Sequence, residues 1–568
     1  MYRTIKIYFL LVLIFSACKV KEKADLIVYN ANIYTADTIN QGIEAFAIKN
    51  GNFVAIGTLD QISSLKGDST QMLDMEGQFV MPGLIEGHGH FLGLGESLVN
   101  LNLLDTKSWD EIVHLVQEKV KTANPGQWIE GRGWHQDKWS GNTGLTFNGY
   151  PYHDALSQIS PNNPVVLYHA SGHALIANKK AMEIAGITAE TQSQAGGRIV
   201  KDKNNKIVGV FEENAMDLLT QALSDDYNKM PLATQQALKI SQAIMASDHA
   251  LSFGITSFQD AGTSLADMRI LQKLCVDDIL KIRLYVMLGG SIKNVLNEMD
   301  SIQELNSSKE KFSTIAVKAY MDGALGSYGA MLLKEYADNP GALGQQITST
   351  DELTQIAQKA ASKNLQMCIH AIGDKGNREV LNLFQNVLGT SAKNEDRRWR
   401  IEHAQHIDTS DAPRFHELGV IASMQAVHCT SDAPFVAKRL GDERAKNTSY
   451  IWRSLLDLNT HLANGTDTPV EKVNPFECIY AAVTRKNSST GLEFYPEQKM
   501  TRDEALKSYT IWNAYAAKEE RIKGSISVNK FADFIVLDRD LLNCKSEDIL
   551  NTKVLQVYIG GKKIEVKK

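Results

Sequence analysis

Eight short apolar runs, each followed by a stretch with helical periodicity, constrain this chain more than any other feature of its sequence. They occupy residues 78–85, 254–260, 279–287, 314–321, 365–371, 399–406, 420–427 and 461–465. Strands that alternate with helices need crossover connections, so they assemble as a parallel sheet covered on both faces. Eight such units predict an α/β fold built on a (β/α)8 barrel, with its chemistry at the carboxyl ends of the strands.

The two ends of the chain read differently. Phe46-Ala47-Ile48 and Phe53-Val54-Ala55-Ile56 flank Lys49-Asn50-Gly51-Asn52, a hairpin signal because Asn-Gly accepts the positive φ of a tight turn. Comparable strand text returns only at Phe534-Ile535-Val536-Leu537 and Val554-Leu555-Gln556-Val557-Tyr558-Ile559. The expectation is one small β domain assembled from residues 24–80 and 524–568, beside a barrel over residues 81–523. Residues from about 101 to 248 are too many for one helix and loop, which predicts an inserted subdomain above the barrel mouth. Loops on that face carry specificity. The insert is rich in aromatics and histidines, and Trp134, His169 and His173 are its candidates for substrate contact; packing within the insert would call for the same residue types.

Charge and composition narrow the function. Lys and Arg number 60 against 66 Asp and Glu, giving a net charge of -6 with no basic block, which argues against nucleic acid as a partner. A hydrophobic fraction of 43% over 568 residues supports a large core and argues against disorder. At the start, Arg3 and Lys6 precede an apolar stretch that ends in Ser16-Ala17-Cys18. That pattern fits a signal peptide over residues 1–17. A cysteine directly after small residues resembles a bacterial lipobox with Cys18 lipidated. The expectation is an exported lipoprotein of the bacterial cell envelope, facing the periplasm or exterior, with a lipid anchor in a membrane. An ordinary secretion signal with an incidental cysteine is the alternative. The other five cysteines form no C-x-x-C pair and no disulfide framework.

The residues that carry chemistry cluster at the ends of the runs. His88 and His90 follow the first run; in extended chain, i and i+2 share a face, and two neutral imidazoles offer lone pairs to a transition metal. Two surface histidines in a glycine-rich loop would give the same text. Lys318 lies late in the fourth run, where a buried ammonium is costly unless paired, for example with Asp322. As a neutral amine it could instead add CO2 to form a carbamate, an anionic oxygen donor able to bridge two cations. His370 closes the fifth run, His403 lies in the sixth, and Asp467 follows the eighth, as a metal ligand and general base or as a helix cap. Six groups from five strands, directed into one mouth, form a metal-site constellation.

The segments Pro82-Gly83-Leu84-Ile85-Glu86-Gly87-His88-Gly89-His90, Val317-Lys318 with Asp322-Gly323, His370-Ala371-Ile372-Gly373-Asp374, Arg400-Ile401-Glu402-His403, Ser423-Met424-Gln425 and Gly465-Thr466-Asp467 occur in an order that resembles the amidohydrolase superfamily. The resemblance is to its amidohydrolase-3 branch of deformylase-like hydrolases. It implies a distorted TIM barrel beside a β-sandwich built from both chain ends. It also implies that His88, His90 and Asp467 hold one metal, His370 and His403 a second, and carbamylated Lys318 bridges them, with Asp467 moving the proton. The implied cofactor is a divalent metal, zinc by its ligand types, one or two ions per chain. Thr466 stands where the family often has serine. The implied reaction is hydrolysis of a non-peptide carbon–nitrogen bond of a small molecule: an amide, formamide or cyclic amide. The alternatives are an ester or lactone hydrolase on the same site and a non-catalytic ligand-binding lipoprotein; loss of a ligand would mark the latter, and all six positions are filled.

Overall fold

The computed structural model describes residues 22–37, 42–140, 144, 146–194, 196–308, 310–389 and 395–566. The signal-peptide reading, Cys18 included, lies outside them. Eight strands form one sheet: Leu84–Gly89 (β1), Ile255–Thr263 (β2), Arg283–Leu288 (β3), Phe312–Tyr320 (β4), Gln366–Ala371 (β5), Arg400–His403 (β6), Ile421–Met424 (β7) and Leu462–Asn464 (β8). Every neighbouring pair is parallel.

Helices cover the outside of this sheet with one apolar stripe each. The helix Thr350–Ser362 starts from a capping box in which Ser349 and Glu352 satisfy each other's backbone N–H groups, and it buries Leu353, Ile356, Ala357 and Ala360. After β5, Asp374–Leu388 buries Val380, Leu381, Leu383 and Phe384. Each large apolar side chain removed from water in this way contributes roughly 1.5–3 kcal/mol.

The barrel closes between β1 and β8 through a side chain. Asn513 Nδ2 donates to the carbonyls of Ile85 and Asn464, each at 2.7 Å, and Asn513 Oδ1 accepts from the Asn464 N–H at 3.0 Å. Beyond it, Asp467 N–H donates to His88 O at 2.8 Å and His90 N–H to Thr468 O at 2.7 Å. Gly87 permits this approach, because a Cβ there would lie 2.5 Å from both Asn464 O and Asn513 Oδ1.

The first apolar run is really two strands in two sheets. Phe79–Pro82 pairs with Phe534–Leu537, and β1 begins only at Leu84. Continuous apolar text cannot show where the chain leaves one sheet for another. The hinge is Gly83, where a Cβ would meet Thr256 Oγ1 at 2.1 Å.

Residues from both chain ends form two further sheets. One orders Asn52–Gly57, Ala45–Lys49, Leu26–Tyr29 and Gln71–Asp74; the other orders Asn32–Ile33, Phe79–Pro82, Phe534–Leu537, Val554–Ile559 and Lys562–Ile564. Val28, Phe46 and Phe53 of the first pack with Val80, Phe534 and Tyr558 of the second. Asn50 and Gly51 take positive φ in the hairpin turn.

Between β1 and β2 a six-stranded sheet orders Gly197–Lys201, Ile207–Glu213, Ala174–Ala177, Val165–His169, Ile129–Trp134 and Leu101–Asn102 around its own apolar cores. Among the described residues no helix is long and apolar enough to cross a membrane.

Candidate functional site

The strand pleat places Glu86 and His88 on one face of β1, and both are fully buried. The glycines on either side of His88 serve the seam and the core: a Cβ at Gly89 would come within 2.7 Å of the Phe258 ring. His90 lies past the strand at the start of the helix Phe91–Ser97.

Glu402 and His403 are neighbours in sequence, yet both contact His88. A regular strand would turn them to opposite faces. Here His403 has φ +75° and Ala404 φ +45°, which breaks the pleat at the end of β6. Asp467, also at positive φ (+56°), brings its carboxylate to 3.5 Å from His88 Nε2, 3.2 Å from His90 Nε2 and 4.0 Å from His403 Nδ1. Non-glycine residues held there cost on the order of 1–3 kcal/mol each, a cost that clusters at functional sites.

The ring nitrogens are oriented from behind. Arg400 is buried inside the barrel, where it donates to Gln259 (2.6 Å), Ser423 (2.8 Å) and the carbonyl of Gly87 (2.8 Å), and it pairs with Glu402 (2.7 Å). Glu402 in turn accepts a short hydrogen bond from His88 Nδ1. Burial pushes the Glu402 carboxyl up, but Arg400 and His88 outweigh it and hold the group below the usual carboxylate range. Gln425 Oε1 accepts from His403 Nδ1 at 2.8 Å. Burial lowers the pKa of His88, His370 and His403, so each ring is neutral. Burial pushes the Asp467 carboxyl up, and the imidazoles of His90, His88 and His403 around it outweigh that and hold it below the usual carboxylate range.

These residues suit a metal. His88 Nε2, His370 Nε2 and Asp467 Oδ1 are buried with no hydrogen-bond partner, an expensive arrangement for polar atoms that do not bind something. Donor atoms of His88, His403 and Asp467 lie within 4.8 Å of one another. Three protein ligands of this type match a catalytic zinc site with an open position. A carboxylate that orients a ligating imidazole, as Glu402 does His88, is the usual outer partner. His403 thus belongs to a mutually close donor set with His88 and Asp467, while His90, 3.2 Å from Asp467, has its ring 33% exposed at the edge.

His370 packs its ring 4.4 Å from that of His403. Lys318 is 2% exposed, and its Nζ lies 4.4 Å from the centre of the Tyr320 ring. It does not pair with Asp322. That carboxylate instead accepts the N–H groups of Met331, Ile372 and Gly373, each at 2.9 Å, and lies 3.7 Å from His370 Nε2. Burial pushes Asp322 up to about 7 against those hydrogen bonds.

The centre opens into a cavity of about 540 Å³, bordered by His90, Lys318, His370 and Asp467 below and by Arg132 and His173 of the insert above. His173 Nδ1 is 2.8 Å from Glu213 Oε2, and Glu213, at φ +49°, presses its carboxylate against Gly323 and Gly329. The other two insert candidates are corrected. Trp134 is fully buried in the insert core, donating Nε1–H to Leu167 O at 2.8 Å, and His169 packs against Trp134 and His135 with Nδ1 on Ser171. Neither lines the cavity. Sequence reasoning assigned no role to Glu402, Gln425 or Glu213. The usable signals were the segments Arg400-Ile401-Glu402-His403 and Ser423-Met424-Gln425, which hold two of them.

Comparison with known proteins adds lineage to this geometry. The family described as "Amidohydrolase family" matches residues 71–564. Protein LONG AFTER FAR-RED 3 of Arabidopsis thaliana is 34% identical over 95% of this chain and 91% of its own length. N-substituted formamide deformylase of Arthrobacter pascens is 26% identical over 94% of this chain and 97% of its own. Among solved structures, an uncharacterized metal-dependent hydrolase from Pyrococcus horikoshii OT3 superposes with a TM-score of 0.72 at 25% identity, covering 92% of this chain and 99% of that one.

Proposed function

The chain belongs to the amidohydrolase family, and from that premise we propose that it hydrolyses a non-peptide carbon–nitrogen bond of a small molecule, in an amide, formamide or cyclic amide. The observation that carries the reading is the convergence of His88, His403 and Asp467 with orphaned donor atoms at the barrel mouth. The relative named as a formamide deformylase supports the choice of bond.

His88, His403 and Asp467 would hold the metal, zinc by donor type, with His90 and His370 at its flanks. When bound, a divalent ion there supplies Lewis-acid polarisation of a carbonyl and an acidified water. The chain supplies the rest. Glu402 and Gln425 fix the two imidazoles. Asp467 Oδ1, steered by His90, accepts a proton and returns it to the leaving nitrogen, a role worth about 10²–10⁴ in rate. His173, braced by Glu213, faces the substrate from above. Lys318 is the position for a carbamate, which would admit a second ion beside His370.

Metal analysis of the purified chain with a panel of amides tests this reading. We expect stoichiometric divalent metal, and a fall in kcat/KM of about 10²–10⁴ on the best substrate in Asp467→Asn. Two equivalents of metal falling to one in Lys318→Arg would mark the bridged form. Absence of stoichiometric metal, or an undiminished rate in Asp467→Asn, would sink the proposal.

A further inference from the structure

The end of the molecule opposite the catalytic mouth carries a groove of about 960 Å³, between the amino-terminal ends of the barrel strands and the β domain. Strand β4 measures the separation. Lys311, one residue before the strand, lines the groove, whereas Lys318 and Tyr320 at its far end line the catalytic cavity. At about 3.3 Å per residue, roughly 30 Å of strand lies between the two openings.

The groove is cationic. Lys281, Arg283, Lys311, Lys562 and Lys563 line it, against Asp25, Asp278 and Glu310. Asp25 is already paired with Lys49 at 2.8 Å, and Asp278 is shared between Lys281 and Lys311. Arg283 is committed to Asp533 at 2.6 Å. Lys562 and Lys563 are exposed on the edge strand Lys562–Ile564, and among the described residues no carboxylate pairs with either. Lysines on an edge strand also deter pairing with another chain. That role needs no cations on the facing barrel, where Lys281 and Lys311 stand.

The chain enters the fold at the rim of this groove. Lys23 Nζ donates to Ser64 O at 3.1 Å and Thr70 Oγ1 to Ala24 O at 2.6 Å, while the adjoining Asp25, Ser69 and Gln71 line the groove itself. Lys66 is exposed beside them. Cys18 stands five residues before Lys23, with Lys19 and Lys21 between. Five residues reach at most about 18 Å. The acyl group expected on Cys18 would therefore hold this end of the molecule, and not the mouth, against a bilayer.

We propose that the groove and its lysine rim are a docking surface for anionic phospholipid headgroups, so that the molecule stands on the membrane by its β domain and opens its catalytic cavity to water. The proposal is independent of the hydrolase reading. Headgroup phosphates meet Lys562, Lys563, Lys66 and Lys23, and a lysine near an anionic surface is worth about fivefold in partitioning. Substrate then arrives from the aqueous side and not laterally through lipid.

The first measurement sediments the full chain carrying Cys18→Ser, which takes no acyl group, with vesicles of phosphatidylcholine alone or of an equimolar mixture with phosphatidylglycerol. Partition onto the anionic vesicles is expected to exceed that onto the neutral ones at least about tenfold, to fall as salt is raised, and to drop at least about fivefold in Lys562→Glu/Lys563→Glu. The second reconstitutes the acylated chain in the mixed vesicles, with one fluorophore in a Cys544→Ser background, at Glu565→Cys beside the groove or at Asp217→Cys beside the catalytic cavity. A headgroup-bound quencher lipid should quench the label at 565 several times more strongly than the label at 217. Equal partition onto both vesicles overturns the proposal, as does an unchanged partition in the double variant that circular dichroism shows folded. Quenching at 217 that equals or exceeds that at 565 overturns it too. So does binding of soluble glycerol 3-phosphate without vesicle binding, which would make the groove a small-anion site. Should mass spectrometry show Cys18 unacylated, the labels are read on vesicle-bound Cys18→Ser chain, and the same outcomes decide.

Discussion

Glu402 shows how far one side chain governs the centre. It lies between the Arg400 guanidinium and His88 Nδ1, with all three groups fully buried. Glu402→Gln keeps the shape and removes the charge. Arg400 is then a buried cation without its anion, and breaking such a pair costs about 3–5 kcal/mol. His88 loses the acceptor that fixes its tautomer, and losing a partner of this kind costs typically about 10–100-fold in metal affinity. We expect lower metal occupancy by elemental analysis and a lower unfolding midpoint in the same variant; a change in neither would remove Glu402 from the site. At this scale the sequence was legible for the placement of His88, His90, Lys318, His370, His403 and Asp467 about one mouth, because each follows or closes an apolar run and the barrel gathers strand ends there. It was not legible for their partners. Glu402 shares the inward face of its strand with Arg400, His403 joins it at His88 because His403 and Ala404 adopt positive φ, and Asp322 abandons Lys318 for three backbone amides offered by distant loops. Trp134 misled because an aromatic on an insert strand has the same text whether it faces ligand or its own core.

Elements inherit their precision from the seam between β1 and β8, which no ladder of backbone bonds joins directly. Asn513 stitches it, and glycines at 87 and 465 let the strands approach: a Cβ on Gly465 would lie 2.5 Å from Glu86 Oε1 and from His88 N. Gly87→Ala therefore forces a methyl group against Asn464 O and Asn513 Oδ1, both fixed by hydrogen bonds. Overpacking of this kind costs about 1–3 kcal/mol or more, and each seam group left unpaired adds about 1–3 kcal/mol. The expected result is a variant with a reduced denaturation midpoint and reduced metal content, because His88 lies one residue away. Wild-type stability with intact metal binding would show that the seam tolerates widening. All eight barrel strands could be read from their apolar runs, since strands buried on both faces carry no polar alternation to confuse with surface text. The boundary of the first could not, because Phe79–Pro82 and β1 are equally apolar and the break at Gly83 depends on a contact with Thr256 across the sheet.

At the scale of the whole molecule, the insert must stay seated on the barrel for the catalytic cavity to exist. Arg439, 1% exposed on the helix Ala426–Leu440 that follows β7, is the clamp. One guanidinium nitrogen donates to Asp137 of the insert at 2.8 Å and to the Gly326 carbonyl at 3.1 Å, another pairs with Asp338, and the plane lies over the Tyr328 ring at 4.2 Å. Lys138 and Glu471 add a weaker tie at 3.4 Å. Arg439→Met would leave Asp137 and Asp338 without their shared cation, at a cost of about 3 kcal/mol for a largely buried pair. The loss should be greater at low ionic strength, where repulsion between the two carboxylates is less screened. Because His173 descends from the insert while His88, His403 and Asp467 belong to the barrel, loosening the clamp should raise KM and leave metal content unchanged. The split separates the roof from the floor. Asp137→Asn placed on Arg439→Met should recover part of the lost stability by relieving the repulsion, a coupling that a double-mutant cycle measures directly. Additive effects would mean that Arg439 acts through local packing against Tyr328 alone and that the insert is held by its other contacts.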